Sequence, residues 1–213
     1  YLCSTVNIRE MKDLSTSILK IKTVPPKSIA PGSLLIAEPF LSESYFNHGV
    51  ITLVDYTNED GALGLVMNNQ TGHTLDEYLD GVDDGTDVPV YSGGPIGQDR
   101  MVFMHTLGAG MFPGAKEFAP GLYLGGDFDK AIEYVNGGYP VEGVLRFFVG
   151  YSGWDSPQLN EELTGEVWAV SDAPSDLSML LTGSDDSYWH RFVRRMGEPY
   201  RAWRFFPRNI SSN

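Results

Sequence analysis

The segment LRFFVGYSGWDSPQLNEEL, residues 145–163, decides how the chain folds. It begins with an apolar, aromatic run that is typical of a buried strand, and it then contains two glycines three residues apart. Asp155 and Gln158 have the spacing of a capping box, and Pro157 falls in the first helical turn. The segment therefore predicts a strand, a corner and a helix. We expect Gly153 to adopt a positive φ at this corner, so that Gly153→Val would damage folding.

A corner of this kind has two interpretations. It can present backbone N–H groups to a ligand at the start of a helix, or it can simply turn the chain.

The rest of the chain supplies short strands and helices in irregular order. Asp60-Gly61 is a strong hairpin signal between two apolar runs. A helix is expected over Phe128–Val135 with Asp127 as its N-cap, and the pattern of Trp189, Phe192 and Val193 predicts another near the C-terminus. This irregular order predicts an α+β fold whose mostly antiparallel sheet is strongly curled, with glycines at the bends.

Composition and charge exclude several classes of protein. With 213 residues and 42% apolar content, the chain can bury one large core. It carries a net charge of −13, and residues 28–190 alone contain 25 acidic and only 4 basic side chains. Such a body repels nucleic-acid phosphates, so direct DNA binding is doubtful. The six arginines of residues 191–213, which alternate with aromatics, leave open single-strand binding by that segment.

The same features bear on location. One cysteine, Cys3, no signal-peptide pattern and no apolar run of membrane-spanning length predict a cytoplasmic protein without a membrane segment.

Two residues are candidates for catalysis. Ser152, in Gly150-Tyr151-Ser152-Gly153, approaches the nucleophile elbow, although Trp154 stands where that motif has glycine. His105 ends a predicted strand and is the best general-base candidate among the histidines. The competing interpretation is structural for both: a tight turn at Ser152 and a satisfied core imidazole at His105.

No cofactor or metal site is predicted. The acidic loop after Leu79 lacks the ligand spacing of an EF-hand, and no dinucleotide-binding glycine motif opens a helix. Ser92-Gly93-Gly94-Pro95 suits either an anion-binding nest or a tight turn. The four histidines are His48, His73, His105 and His190; none pairs with another at ligand spacing, and no cysteine lies nearby, which argues against zinc.

Several blocks in the same order resemble the AlgH/YqgE family of bacterial proteins. They are residues 32–39, 46–54, 61–68, 91–95 with His105, and 150–163. The resemblance implies one AlgH/YqgE-like domain over 31–213, preceded by a tail and linker over 1–30, and a barrel-like sheet flanked by short helices. Members carry the label of transcriptional regulator, and their biochemical activity is not established.

We therefore expect a non-enzymatic regulatory or interaction protein, with a groove for a small molecule or a peptide. A hydrolase using Ser152 or His105 and a nucleic-acid-binding protein using the C-terminal arginines are the alternatives, and a homo-oligomer remains open. The candidate groove residues are Asn68, Gly93, Gly94, Pro95, His105, Tyr151, Ser152, Gly153, Trp154, Gln158 and Glu162.

Overall fold

The computed structural model describes residues 28–43 and 45–208. Ten strands occur within these ranges: β1 (Leu34–Ala37), β2 (Val50–Thr57), β3 (Gly61–Val66), β4 (Gln70–Thr74), β5 (Pro89–Ser92), β6 (Ile96–His105), β7 (Lys116–Ala119), β8 (Leu122–Leu124), β9 (Leu145–Trp154) and β10 (Trp168–Ser171). Three α-helices accompany them: α1 (Phe128–Asn136), α2 (Ser156–Thr164) and α3 (Asp186–Arg195). Short 3-10 helices cover Leu75–Glu77, Leu177–Leu180 and Glu198–Phe205.

The strands form one ten-stranded sheet in a single α+β domain. Its main path runs β10-β1-β2-β3-β9-β6-β8-β7, with β5 and β4 attached beside β9. All the pairings are antiparallel except that of β5 with β9. The prediction of a mostly antiparallel α+β domain is confirmed.

The prediction of a strongly curled, barrel-like sheet is wrong. Closing a barrel requires the strands at the two ends of the sheet to pair. Here β10 pairs with β1 at one end of the path and β7 pairs with β8 at the other, so the sheet stays open. The glycines that suggested bends instead serve turns and close backbone contacts. Helices are also few, so they do not surround the sheet.

The segment of residues 145–163 forms β9, at the centre of the sheet, and most of α2. One edge of β9 pairs first with β5 and then, after Gly150, with β3; the other edge pairs with β6. Phe147 and Phe148 are 0% exposed, because the two faces of this strand pack against different core clusters, and Tyr151 is partly buried. The position of β9 explains why three segments that are distant in the sequence meet there.

The helix boundaries follow the capping signals. Asp155 accepts a hydrogen bond from the Gln158 backbone N–H at 2.8 Å and so caps α2, as predicted. Asp127 caps α1 in the same way, through the backbone N–H of Lys130. In α3 the buried side chains include Trp189, which donates its indole N–H to the carbonyl of Ala37 in β1 at 2.9 Å. This contact fixes α3 against the sheet.

Within the described ranges, every helix is too short or too polar to cross a bilayer. The predicted N-terminal tail lies outside these ranges except for residues 28–30.

Candidate functional site

The three glycine-bounded segments of the predicted groove come together at β9. The backbone N–H of Gly93 donates to the carbonyl of Val149 at 2.9 Å, and its carbonyl accepts from the N–H of Val66 at 2.9 Å. Ala62 of β3 is paired with Trp154. The segments therefore meet through their backbones.

Gly93 and Gly94 are required by this backbone contact. A Cβ added at Gly93 would lie 2.4 Å from the carbonyl oxygen of Gly150, and one at Gly94 would lie 2.3 Å from the carbonyl carbon of Tyr151. Both distances are far below van der Waals contact, so neither position accepts a side chain without movement of β9. Pro95, which follows them, is exposed.

The positive φ in the β9 corner belongs to Gly150, at 68°, whereas the backbone of Gly153 has no such value. The prediction for Gly153 is therefore wrong in its stated cause. A Cβ at Gly153 would meet Ile96 Cδ1 at 3.2 Å and Leu63 Cδ2 at 3.6 Å, which neighbouring side chains can accommodate.

Ser152 is buried and bound to backbone. The residue is 1% exposed, and its hydroxyl donates to the carbonyl of Gly93 at 3.1 Å. His105 is paired with Leu145, at the opposite end of β9. Ser152 is seven positions further along the strand than Leu145, which corresponds to roughly 20 Å. The two catalytic candidates thus lie apart, and Ser152 has a structural hydrogen bond in place of a base.

His105 is a core residue. It is 0% exposed, its ring stacks on Tyr123 with centroids 5.4 Å apart, and its Nδ1 accepts from the Leu107 N–H at 3.3 Å. Burial lowers the pKa of His105 below its usual range, so the imidazole is held neutral.

Trp154, Gln158 and Glu162 do form a cluster, together with Trp168. The Glu162 carboxylate accepts from the indole N–H groups of Trp154 at 2.8 Å and Trp168 at 2.7 Å, and from the Gln158 amide at 2.8 Å. Both tryptophans are at most 5% exposed. The cluster attaches α2 to β9 and β10.

A cleft opens where β6 bulges away from β9. Ile96 is paired with Tyr151 and Met101 with Val149, so four residues of β6 stand opposite Gly150. Within the bulge, the Gln98 amide donates to the carbonyl of Gly94 and to Ser92 Oγ. The glycine contacts therefore support the bulge.

The bulge borders a cavity of about 440 Å³. Its lining is Tyr78, Leu79, Gln98, Asp99, Arg100, Met101, Phe128 and Val149. None of these residues was among the predicted groove residues. The available signal was the polar run Gln98-Asp99-Arg100 directly before the apolar run from Met101, which sequence reasoning took as the start of the strand.

Asn68 has a structural role at the turn that precedes β2, away from the cleft. Its side chain is 4% exposed; it accepts from the Val50 N–H at 3.0 Å and donates to the carbonyl of His48 at 2.9 Å. His48 has a φ of 52°, which is uncommon for a residue with a side chain. Asn68 therefore holds the turn that presents His48.

His48 faces two residues of α3. Its Nδ1 lies 2.8 Å from Asp186 Oδ1, and His190 Nε2 lies 3.2 Å from Asp186 Oδ2. His48 is fully buried and stacks on Trp189 at 3.9 Å. Burial lowers the pKa of His48, with the Asp186 carboxylate acting in the opposite direction. Sequence reasoning compared histidines with one another and missed the four-residue spacing of Asp186 and His190, which places both on one helix face.

Two of the six C-terminal arginines donate to backbone carbonyls of the fold, whereas Arg194, Arg195 and Arg201 are exposed. Arg191 donates to the carbonyl of Met179 at 3.1 Å and lies over the Tyr188 ring, and Arg204 donates to the carbonyl of Arg194 at 3.2 Å. Trp203 is 4% exposed. These contacts favour the packing interpretation for Arg191, Arg204 and Trp203.

Comparisons with known proteins agree with the fold. A family model described as AlgH-like matches residues 34–201. A UPF0301 protein of Parabacteroides distasonis is 36% identical over 84% of this chain and 88% of its own length. A UPF0301 protein of Bacteroides thetaiotaomicron is 36% identical over 92% of this chain and 96% of its own length.

Two solved structures are similar. The AlgH protein of Pseudomonas aeruginosa superposes with a TM-score of 0.64 at 26% identity, covering 81% of this chain and 93% of that one. Protein DIP2367 of Corynebacterium diphtheriae gives a TM-score of 0.68 at 22% identity, covering 88% of this chain and 97% of that one. The latter shows likeness of fold alone.

Proposed function

Given that the chain belongs to the AlgH-like family, we propose that it is a non-enzymatic, cytoplasmic regulatory protein that binds a small molecule in the cleft beside the β6 bulge. The observation that carries the proposal is the cleft itself. Its volume of about 440 Å³ lies within the range of small-molecule sites. Its lining also combines apolar and aromatic surface with a few polar groups, as such sites do.

The lining indicates the chemistry of the ligand. Tyr78 and Phe128 offer aromatic surface, and Met101 and Val149 add apolar contacts. Arg100 is an exposed guanidinium at the same cleft, and a guanidinium pairs well with a carboxylate. A small molecule with a flat apolar part and a carboxylate fits this arrangement.

The glycine segments support the proposal indirectly. The bulge that carries Arg100 is connected to Gly94 through Gln98, and Gly94 is packed against β9. A site on a rigid strand holds its binding groups in place before the ligand arrives, which reduces the entropy lost on binding.

A specific observation disfavours each alternative function. Ser152 is buried and bound to a backbone carbonyl, which disfavours a hydrolase. Arg191 and Arg204 donate to backbone carbonyls of the fold, and residues 28–190 are strongly acidic, which together disfavour nucleic-acid binding.

The test is a screen of small aromatic and aliphatic carboxylates by ligand-observed NMR and by thermal shift. A ligand that binds the folded state raises its melting temperature. Arg100→Gln should weaken a true ligand roughly tenfold, since it removes one charge-assisted hydrogen bond. Tyr78→Ala should weaken it as well.

Asn160→Ala is the matched control, because Asn160 lines a second cleft of about 400 Å³ elsewhere on the molecule. Binding that survives Arg100→Gln and Tyr78→Ala but disappears with Asn160→Ala would place the ligand in the second cleft and contradict the proposal.

A further inference from the structure

His48, Asp186 and His190 bring three potential metal ligands to one point. The ligand atoms of the three side chains all lie within 4.8 Å of one another. Among residues 28–43 and 45–208, these three side chains form the group of histidine, cysteine and carboxylate residues whose ligand atoms are this close together. The group lies apart from the cleft assigned above, at the contact between α3 and the turn that precedes β2.

The separations suit a transition-metal ion. Four ligand atoms placed tetrahedrally at about 2.1 Å from a zinc ion are roughly 3.4 Å apart. In the structure, Asp186 lies 2.8 Å from the nearer nitrogen of His48 and 3.2 Å from that of His190. These two contacts go to different oxygens of the Asp186 carboxylate, and the ligand atoms of the three residues all lie within 4.8 Å of one another. An ion would therefore require side-chain shifts of roughly an ångström or less. The two imidazole rings are inclined by 86° with centroids 5.7 Å apart, so they approach a common point from different directions.

The three side chains differ in their exposure to solvent. The His48 side chain is fully buried, that of His190 is 16% exposed and that of Asp186 is 42% exposed. An ion held by them would have its fourth position toward solvent. Three protein ligands with one open position are the arrangement of zinc sites that keep a place for water or a substrate.

The protein fixes the buried ligand before any ion arrives. The His48 ring stacks on Trp189 at 3.9 Å with an interplanar angle of 14°. Its backbone is held by the Asn68 amide, and its φ of 52° is maintained by that contact. An uncommon backbone conformation in a residue with a functional side chain is a reason to look for a site.

We propose that His48, Asp186 and His190 bind a divalent transition-metal ion of the Zn²⁺ or Co²⁺ type. Two imidazoles and one carboxylate form a ligand set that suits such ions better than Mg²⁺ or Ca²⁺, which prefer oxygen. His48 Nε2 is buried without a hydrogen-bond partner among the described residues. A ligating histidine usually donates this second nitrogen to an acceptor, and loss of that support costs about 10–100-fold in affinity. Binding should therefore be moderate.

The experiment titrates the 213-residue chain with Zn²⁺ by isothermal calorimetry and with Co²⁺ by visible absorption. We expect one saturable equivalent, with a Co²⁺ spectrum of low coordination number. Asp186→Asn and His190→Gln should each weaken binding at least roughly tenfold. Both residues are partly exposed, so the variants should fold, which circular dichroism in the absence of metal verifies.

Two matched controls separate this site from other ligands. His73→Gln removes an exposed histidine that also pairs with a carboxylate four residues away, at 2.8 Å, and it should leave the affinity unchanged. Cys3→Ser removes the single thiol and should leave it unchanged too. Absence of a saturable equivalent would overturn the proposal, as would equal affinity in Asp186→Asn and wild type or loss of binding in either control.

A measurement on the wild type covers the case in which a variant fails to fold. In a nitrogen-correlated imidazole NMR spectrum, Zn²⁺ should shift the His48 and His190 signals and leave those of His73 and His105 in place. Shifts confined to His73, or to none of the four, would also overturn the proposal.

Discussion

Two carboxylates on short helices are surrounded by nitrogen atoms, but the nitrogens differ in kind. Glu162 on α2 accepts from the indoles of Trp154 and Trp168, and Asp186 on α3 lies between the imidazoles of His48 and His190. An indole nitrogen is a donor only, whereas an imidazole nitrogen can exchange its proton for a metal ion. The Glu162 cluster can therefore only join elements, while the Asp186 cluster can also bind.

The largest effect is expected from breaking the Glu162 cluster. Glu162→Ala should lower the free energy of unfolding by roughly 2–4 kcal/mol, because two buried indole N–H groups lose their acceptor at about 1–3 kcal/mol each. Urea unfolding measures this. Glu162→Gln keeps an acceptor oxygen and should lose less, and Glu161→Ala, exposed on the same helix, should leave the midpoint unchanged.

An unchanged midpoint for Glu162→Ala would show that the two indoles find other acceptors. The same variant tests whether the Glu162 cluster takes part in metal binding. One equivalent of Zn²⁺ should raise the melting temperature of Glu162→Gln as much as that of the wild type.

The two clusters also show what could be predicted from the sequence. Trp154, Gln158 and Glu162 lie within one strand–corner–helix segment, so local spacing was enough to group them. His48 and Asp186 are 138 residues apart, and only the pairing of β1 with β2 and the packing of α3 brings them together. No periodicity carries that information.

The open sheet was missed for a related reason. Positive φ and close contact both favour glycine, and the sequence does not say which applies at a given position. Gly93 is needed because the carbonyl of Gly150 lies where its Cβ would be, and that neighbour is 57 residues away in the chain. Local signals such as the Asp155 cap were predictable, whereas the pairing partners of β9 were not.

Removing the charge of Asp186 should lower the stability of the metal-free protein less than Glu162→Ala does. Asp186→Asn should lower the free energy of unfolding by about 1 kcal/mol, because hydrogen bonds to a charged group are worth about 1.5–3 kcal/mol and solvent reduces this at a side chain that is 42% exposed. Urea unfolding in the presence of a chelator measures the loss.

Asp185→Asn is the matched control, since Asp185 is the N-cap of the same helix and its carboxylate accepts from the Ser187 hydroxyl. An equal loss in that variant would attribute the effect to the helix dipole, and the comparison with Glu162 would then fail.

The pH dependence of stability should also separate the two clusters. Burial lowers the pKa of His48, so the folded state binds its proton less readily than the unfolded state. The resulting stability is complete above the ordinary histidine pKa of about 6.5 and decreases as the pH falls from there toward the folded-state pKa. The groups that face or act on His48 are Asp186, His190 and Arg208.

Urea midpoints between pH 8 and pH 5 measure this slope, which is at most about 1.4 kcal/mol per pH unit for one proton. The slope should fall in His48→Gln, and His105 should retain part of it because burial lowers its pKa too. It should stay unchanged in Glu162→Gln, since indole nitrogens do not titrate in this range. A wild-type slope in His48→Gln would contradict the assignment.

The smallest effect on stability is expected at His73 and Glu77. They form an exposed histidine–carboxylate pair four residues apart, as His190 and Asp186 do. Their side chains are about half exposed, and His73 Nδ1 lies 2.8 Å from Glu77 Oε2. Solvent screens such a pair, so His73→Gln should change neither the urea midpoint nor the affinity for Zn²⁺. Paired titrations of both quantities measure this. A loss of metal binding in this variant would mean that a histidine and a carboxylate four residues apart suffice. The buried imidazole that the fold brings from 138 residues away would then not be what distinguishes the Asp186 cluster.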